Sequence, residues 1–146
     1  MNADISVITP VYNEGENLPT LIDSLEEILS ERGEGFEIII VDDNSPDGSG
    51  VVADRLATRY GNIRVVKRPR KMGLGTAYKD GFKQASGGLI VSIDGDLSHD
   101  PSSLPTLIEA SKGHDIVIGS RYVNGGGIKG RTIWRNILSV SANWFI

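Results

Sequence analysis

Short apolar runs and helical stripes alternate along almost the whole chain, and that alternation limits the folds open to it. The runs are ISVIT (Ile5 to Thr9), FEIIIV (Phe36 to Val41), Ile63 to Val66, LIVSI (Leu89 to Ile93) and DIVIG (Asp115 to Gly119). They are rich in β-branched residues, the pattern of strands buried on both faces. After the first run, Leu18, Leu21, Ile22, Leu25, Ile28 and Leu29 recur at helical spacing. Asn17 is placed to N-cap that helix, Pro19 falls in its first turn, and Gly33 and Gly35 end it. Ser49 to Tyr60 predicts a second helix that buries Val52, Leu56 and Tyr60. Thr76 to Ala85 predicts a third, with Ala77, Tyr78, Phe82 and Ala85 inward, and Ser102 to Lys112 a fourth. A last amphipathic stripe from about Thr132 holds Ile133, Ile137, Leu138, Trp144 and Phe145. Strand and helix alternating this way predict an α/β fold with a mostly parallel central sheet and helices on both faces.

In such a sheet ligands bind at the carboxyl ends of the strands, and the unusual polar residues follow the runs directly. Pro10, Tyr12, Asn13 and Glu14 come after the first, and Asp42, Asp43 and Asn44 after the second. Arg68, Arg70 and Lys71 follow the third, Asp94 and Asp96 the fourth, Ser120 and Arg121 the fifth. Packing alone does not bring acids, amides and arginines to one rim from five strand ends. The rim reads as a nucleotide site, with acids for base and ribose and cations for phosphate.

The Asp94-Gly95-Asp96 step is the most demanding part of that rim. Two carboxylates about 4 Å apart repel by ~1 kcal/mol in water and ~4 kcal/mol at an effective dielectric near 20. One answer is a hard divalent cation shared with a phosphorylated substrate, since Mg²⁺ takes one or two carboxylates plus phosphate oxygens. The plainer one is an acidic turn that caps the next helix. Convergence of the other strand ends favours the cation. Gly95 then lets a ligand approach closely. His99 reads as a loop hydrogen-bonder, and Asp100, before Pro101, as a helix N-cap.

Composition removes several function classes. The chain has no cysteine and two histidines, so disulfide scaffolds, thiolate zinc sites and cysteine nucleophiles are excluded. No GxxxxGK[ST] loop follows a strand, and PVYNEG stands where a dinucleotide site would carry GxGxxG. Gly73-Leu74-Gly75 precedes a helix and fits either a phosphate or sugar contact or a tight turn. The net charge of −4 argues against general nucleic-acid binding. It hides two cationic zones: five cations and no acid from Arg64 to Lys71, and no acid at all after Asp115. No run approaches the ~18 apolar residues of a membrane span, so an intracellular location is expected. One domain over residues 1–146 is expected as well, with its last helix running on past Ile146.

The motifs TPVYNE (Thr9 to Glu14), VDDNSPDG (Val41 to Gly48), KMGLGTAYKDG (Lys71 to Gly81), DGDLSHDP (Asp94 to Pro101) and GSRYVNGGG (Gly119 to Gly127) stand in an order and spacing that resembles the family-2 glycosyltransferases. Within the family they look most like the polyprenyl-phosphate mannosyltransferase group, and the resemblance covers nearly the whole chain. It implies a GT-A type, Rossmann-like nucleotide-sugar-binding domain that moves mannose from GDP-mannose to dolichyl or another polyprenyl phosphate, with inversion. It also implies peripheral contact with a membrane at its cytoplasmic face. By the same resemblance Pro10, Tyr12 and Glu14, with Asp42 or Asp43, would hold the nucleoside, and Lys71 and Gly73 would join the substrate contacts. Asp94 and Asp96 would meet a divalent metal, Mg²⁺ or Mn²⁺, and the donor diphosphate, with Ser98 a weak third ligand. Arg121 and Arg135 would sit near the donor and lipid phosphates, and with Asp96 carry the catalysis. Gly95 stands where Ala is more usual in the family. Two other readings remain beside this one: a related transferase with another donor such as UDP-glucose, and a nucleotide-binding fragment without turnover.

Overall fold

Four of the five expected strands form in a computed structural model that describes residues 3–120. They are β1 (Ile5–Val11), β2 (Phe36–Asp42), β3 (Ile63–Lys67) and β4 (Leu89–Ser92), all parallel, in the order β3-β2-β1-β4. Helices α1 (Leu18–Arg32), α2 (Ser49–Tyr60) and α3 (Leu74–Phe82) make the crossovers. A 3-10 turn, Pro101–Ser103, leads into α4 (Leu104–Ser111).

The order explains the layers. Parallel crossovers are right-handed, so α1 and α2, which carry the chain outward from β1 to β3, share one face. The third crossover runs back across the sheet to β4, and α3 therefore lands on the other face. Two cores result. Val7, Val11, Ile38 and Ile40 pack with Leu21, Leu25, Ala53, Leu104 and Ile108 on the first face; Ile8, Ile39 and Val41 pack with Ala77 on the second. Each fully buried Leu or Ile contributes about 1.5–3 kcal/mol. Gly81 lets α3 lie directly on the sheet, since a Cβ there would fall 2.5 Å from Ile8 Cγ2.

Several boundaries behave as the sequence predicts and others do not: β1 runs past Thr9 through Pro10 to Val11, with Pro10 in register with Val41. Gly33 ends α1 in the left-handed region, at φ 73°, where glycine meets no Cβ clash. Asn17 makes no side-chain cap on α1 and instead donates from Nδ2 to Glu14 Oε2 at 2.7 Å. Helix α3 starts at Leu74 rather than Thr76, because the Gly73 carbonyl already accepts from the Ala77 amide. Phe82 points outward and is 47% exposed. The fifth strand is absent: residues 115–119 join no ladder, and Ile116 and Ile118 are exposed. An apolar alternation makes a strand only when a neighbour accepts its hydrogen bonds, and these residues pair with nothing among the described ones.

The amino-terminal end of the sheet is pinned by Glu37. Its Oε1 accepts from the Ser6 hydroxyl (2.7 Å), the Ser86 amide (2.7 Å) and the Ser86 hydroxyl (2.8 Å), while the Gly87 amide donates to Ser6 Oγ (2.8 Å). Burial pushes the Glu37 carboxyl up, but those hydrogen bonds and the Arg64 charge outweigh it, so the group lies below its ordinary value of 4.5. A depressed native pKa contributes stability that is complete above the ordinary value and lost as pH falls through the native one. Glu37→Gln is therefore expected to lower Tm at pH 7, and the gap to the parent should close as pH falls from 5 towards 3. A gap that stays constant over that range would contradict the assignment.

Candidate functional site

Reversal of direction in the strand order puts a crevice at the carboxyl ends of β1 and β4, the place where open α/β sheets bind ligands. Four loops meet there: residues 12–17 after β1, 43–48 after β2, 68–73 after β3 and 93–100 after β4. Each is tied to another.

Three successive amides of the first loop donate to side chains of the second loop and of the first residue of α2. Asn13 N–H reaches Ser45 Oγ (3.1 Å), Glu14 N–H reaches Ser49 Oγ (2.9 Å) and Gly15 N–H reaches Asp47 Oδ2 (3.1 Å). The hydroxyl and amide of Ser49 and the Gly15 amide hold the Asp47 carboxyl below its usual range. Asn13 and Asn44 both take left-handed backbone, at φ 61°, a conformation asparagine tolerates better than most residues.

Asp43 joins the second loop to the third. Its Oδ1 accepts from Arg68 (2.7 Å) and the Met72 amide (2.8 Å), and its Oδ2 from the Gly73 amide (2.8 Å). Arg68 is buried with it, donates also to Thr76 Oγ1 and the Gly73 carbonyl, and has Nε 3.3 Å from Asp80 Oδ2. The cation expected to meet phosphate at this strand end is therefore an internal tie. Lys71 remains exposed, with Nζ 3.5 Å from the centroid of the Tyr12 ring, a cation–π contact.

The fourth loop carries the two carboxylates. Asp94 accepts from the Tyr78 hydroxyl at Oδ1 (2.8 Å), and its amide faces His99 Nδ1 at 3.4 Å, as a loop role for His99 predicts. Asp96 Oδ1 accepts from the Ser98 amide at 2.9 Å. Burial raises the Asp96 pKa, but the Ser98 hydrogen bonds and the His99 charge bring it below the usual carboxylate value. Burial first, then the bond to Asp94 and the charges of both aspartates, push the Tyr78 phenol well above its ordinary range. Asp100 caps the following turn through the Ser102 amide, as expected.

Gly95 has a different reason from the expected one. A Cβ there would fall 2.9 Å from Val11 Cγ1, 3.3 Å from the Pro10 carbonyl and 3.5 Å from Glu14 Cγ. The glycine makes room for the end of β1, and it lets the fourth loop pack against Glu14 of the first.

The crevice thus brings together Pro10, Tyr12, Glu14, Asp42, Asp43, Lys71, Gly73, Asp94, Asp96 and Ser98 on the four adjoining strand ends. Arg121 and Arg135 lie outside the described residues. Sequence reasoning missed the Asp43–Arg68 tie and the contact of Tyr78 with Asp94. The only signal for the latter was a tyrosine at a half-buried helical position, where the hydroxyl needs a partner.

Among the described residues no group of three or more His, Cys, Asp or Glu could hold a metal ion. Asp94 and Asp96 could supply two carboxylates. That donor set does not build a closed protein cage, but it fits Mg²⁺ or Mn²⁺ whose other positions are filled by water and diphosphate oxygens.

A parallel sheet with a switch-point crevice and an acidic pair after its fourth strand has the architecture of a GT-A glycosyltransferase domain. Residues 6–143 match the family Glycosyl transferase family 2, and the chain belongs to that family. It is similar to two proteins named dolichol-phosphate mannosyltransferase. One, from Pyrococcus furiosus, is 44% identical over 139 residues, which cover 94% of this chain and 39% of the relative. The other, from Saccharomyces cerevisiae, is 38% identical over 144 residues, covering 97% and 54%. The chain therefore spans about half or less of these relatives' length. Its fold is also that of the Pyrobaculum calidifontis mannosyltransferase PcManGT, solved with GDP-Man and Mn²⁺, at a TM-score of 0.64 and 22% identity, covering 82% of this chain and 34% of that one. No helix among the described residues is long and apolar enough to cross a membrane.

Proposed function

We propose that this chain is the donor-binding domain of an inverting transferase that moves mannose from GDP-mannose to a polyprenyl phosphate. The observation that carries the reading is the Asp94/Asp96 pair in the switch-point crevice, in a chain 44% identical to a dolichol-phosphate mannosyltransferase. In the proposed reaction an acceptor phosphate oxygen forms a bond to the anomeric carbon as the bond from that carbon to the GDP oxygen breaks. Attack comes from the face opposite the leaving group, which inverts the centre. The acceptor is already anionic at neutral pH, so no general base is required, and positioning and charge neutralisation carry the rate.

Tyr12 and Glu14, beside Pro10, would hold the nucleoside, with Lys71 lying over the Tyr12 ring. Of the two aspartates at the end of β2, Asp42 is the nucleoside candidate, because Asp43 holds Arg68 and the amides of Met72 and Gly73. Gly73 brings backbone close to the sugar phosphate. Asp94 and Asp96 would bind a divalent ion, Mg²⁺ or Mn²⁺, which when bound neutralises charge on the departing diphosphate. Ser98 serves that site by holding Asp96. Arg121 and Arg135 are proposed to meet donor and acceptor phosphates. An acceptor of this kind places the working protein at a membrane, as a peripheral contact on the cytoplasmic face.

Thermal unfolding with nucleotide sugars tests the donor half. A ligand at 100 times its Kd adds about 2.7 kcal/mol, a rise in Tm of roughly 5–10 °C for this size. GDP-mannose should give it only with Mn²⁺ or Mg²⁺. An equal rise with UDP-glucose would reassign the donor, and no rise with any nucleotide sugar would overturn the reading.

A further inference from the structure

Tyr78 sits on α3, with its ring against the smaller core of Ile8, Ile39, Val41 and Ala77 and stacked on Phe82 at 6.3 Å between centroids. Phenylalanine would fill that space equally well. The hydroxyl adds one contact, the 2.8 Å hydrogen bond to Asp94 Oδ1. Resting on the reading of Asp94 as a contact for the divalent ion, we infer that Tyr78 is a positioning residue that fixes the Asp94 carboxylate for metal binding.

Two features support this. Oδ1 is committed to Tyr78, while Oδ2 has the His99 ring 3.9 Å away. Oδ1 already holds one hydrogen bond, so Oδ2 keeps more capacity for a cation, and a one-oxygen ligand suits the near-ideal octahedral geometry that Mg²⁺ demands. The helix that carries Tyr78 is itself held at its start, because Asp43 accepts from the Met72 and Gly73 amides and Arg68 donates to Thr76. The tie thus runs from the loop after β2, through α3, to the carboxylate. Hydrogen bonds behind a ligand orient it, and their loss typically costs 10–100-fold in metal affinity.

The test is Mn²⁺ binding to the chain with saturating GDP, followed by the electron paramagnetic resonance of free Mn²⁺. Tyr78→Phe should weaken Mn²⁺ by about 10–100-fold, with Tm unchanged. Phe82→Leu disturbs the ring stacking and keeps the hydroxyl, so it should retain parental Mn²⁺ affinity. Equal losses in the two variants would make the effect one of packing and overturn the assignment. If Asp96→Asn abolishes Mn²⁺ binding while Tyr78→Phe binds like the parent, the metal reading stands and the positioning role falls. Failure of the unsubstituted chain to bind Mn²⁺ with GDP would overturn both.

Discussion

Asp96→Asn is expected to abolish Mn²⁺-dependent binding of GDP-mannose and leave the fold intact. The carboxylate is exposed and its native pKa is depressed, so at neutral pH it carries a full negative charge. Asparagine keeps an oxygen that can accept from the Ser98 amide at the same place, so the turn has no reason to rearrange. What disappears is the charge that would face the cation. Losing a hydrogen bond behind a metal ligand costs 10–100-fold, and loss of a charged ligand itself should exceed that, at least about 100-fold. Surface substitutions away from buried networks usually change stability by less than ~0.5 kcal/mol. Isothermal titration with and without Mn²⁺, beside a melting curve, separates the two effects. Metal-dependent binding that survives the substitution would remove Asp96 from the site.

The largest expected loss of stability lies one loop away. Arg68 and Asp43 have side chains 2% and 6% exposed, and their charges meet at 2.7 Å. Removing one partner of a buried pair strands the other charge, at a cost of about 3–5 kcal/mol. Arg68→Ala should therefore lower Tm by roughly 10 °C, a large share of the 5–15 kcal/mol that holds a typical domain together. Asp43→Ala should cost at least as much, because the Met72 and Gly73 amides lose their acceptor as well. The double variant should lose less than the sum of the two, since no lone charge remains buried. Urea unfolding of the three variants measures this. A loss below about 1 kcal/mol for Arg68→Ala would show that the pair is solvated in solution.

The alternation of apolar runs with helical stripes made most of the architecture legible, because each β-α unit is local. The polar residues at the strand ends could be read too, although the ends themselves were only approximate: β1 runs on through Pro10 to Val11 and β2 takes in Asp42. What escaped depends on partners far apart in sequence. DIVIG has a strand's pattern, yet residues 115–119 find no neighbouring edge among the described residues. Arg68 carries the same charge whether it meets a phosphate or a buried carboxylate, and its neighbours in the chain do not say which. Asp43 and Gly73 are thirty positions apart, Tyr78 and Asp94 sixteen. Gly95 looked like space for a ligand and is filled by Val11 and Glu14 instead.

The closed circuit of ties around the crevice bears on how such a protein can change. Loop one leans on side chains of loop two, loop two on amides of loop three, α3 on loop four, and loop four on loop one. A segment transplanted from a cousin with another donor would arrive without the Ser45, Asp47 or Asp43 it expects, and the host would lose the contacts it gave up. New donor preference should therefore be reached through paired exchanges across neighbouring loops, or through tip residues such as Lys71 that reach the crevice without holding its frame.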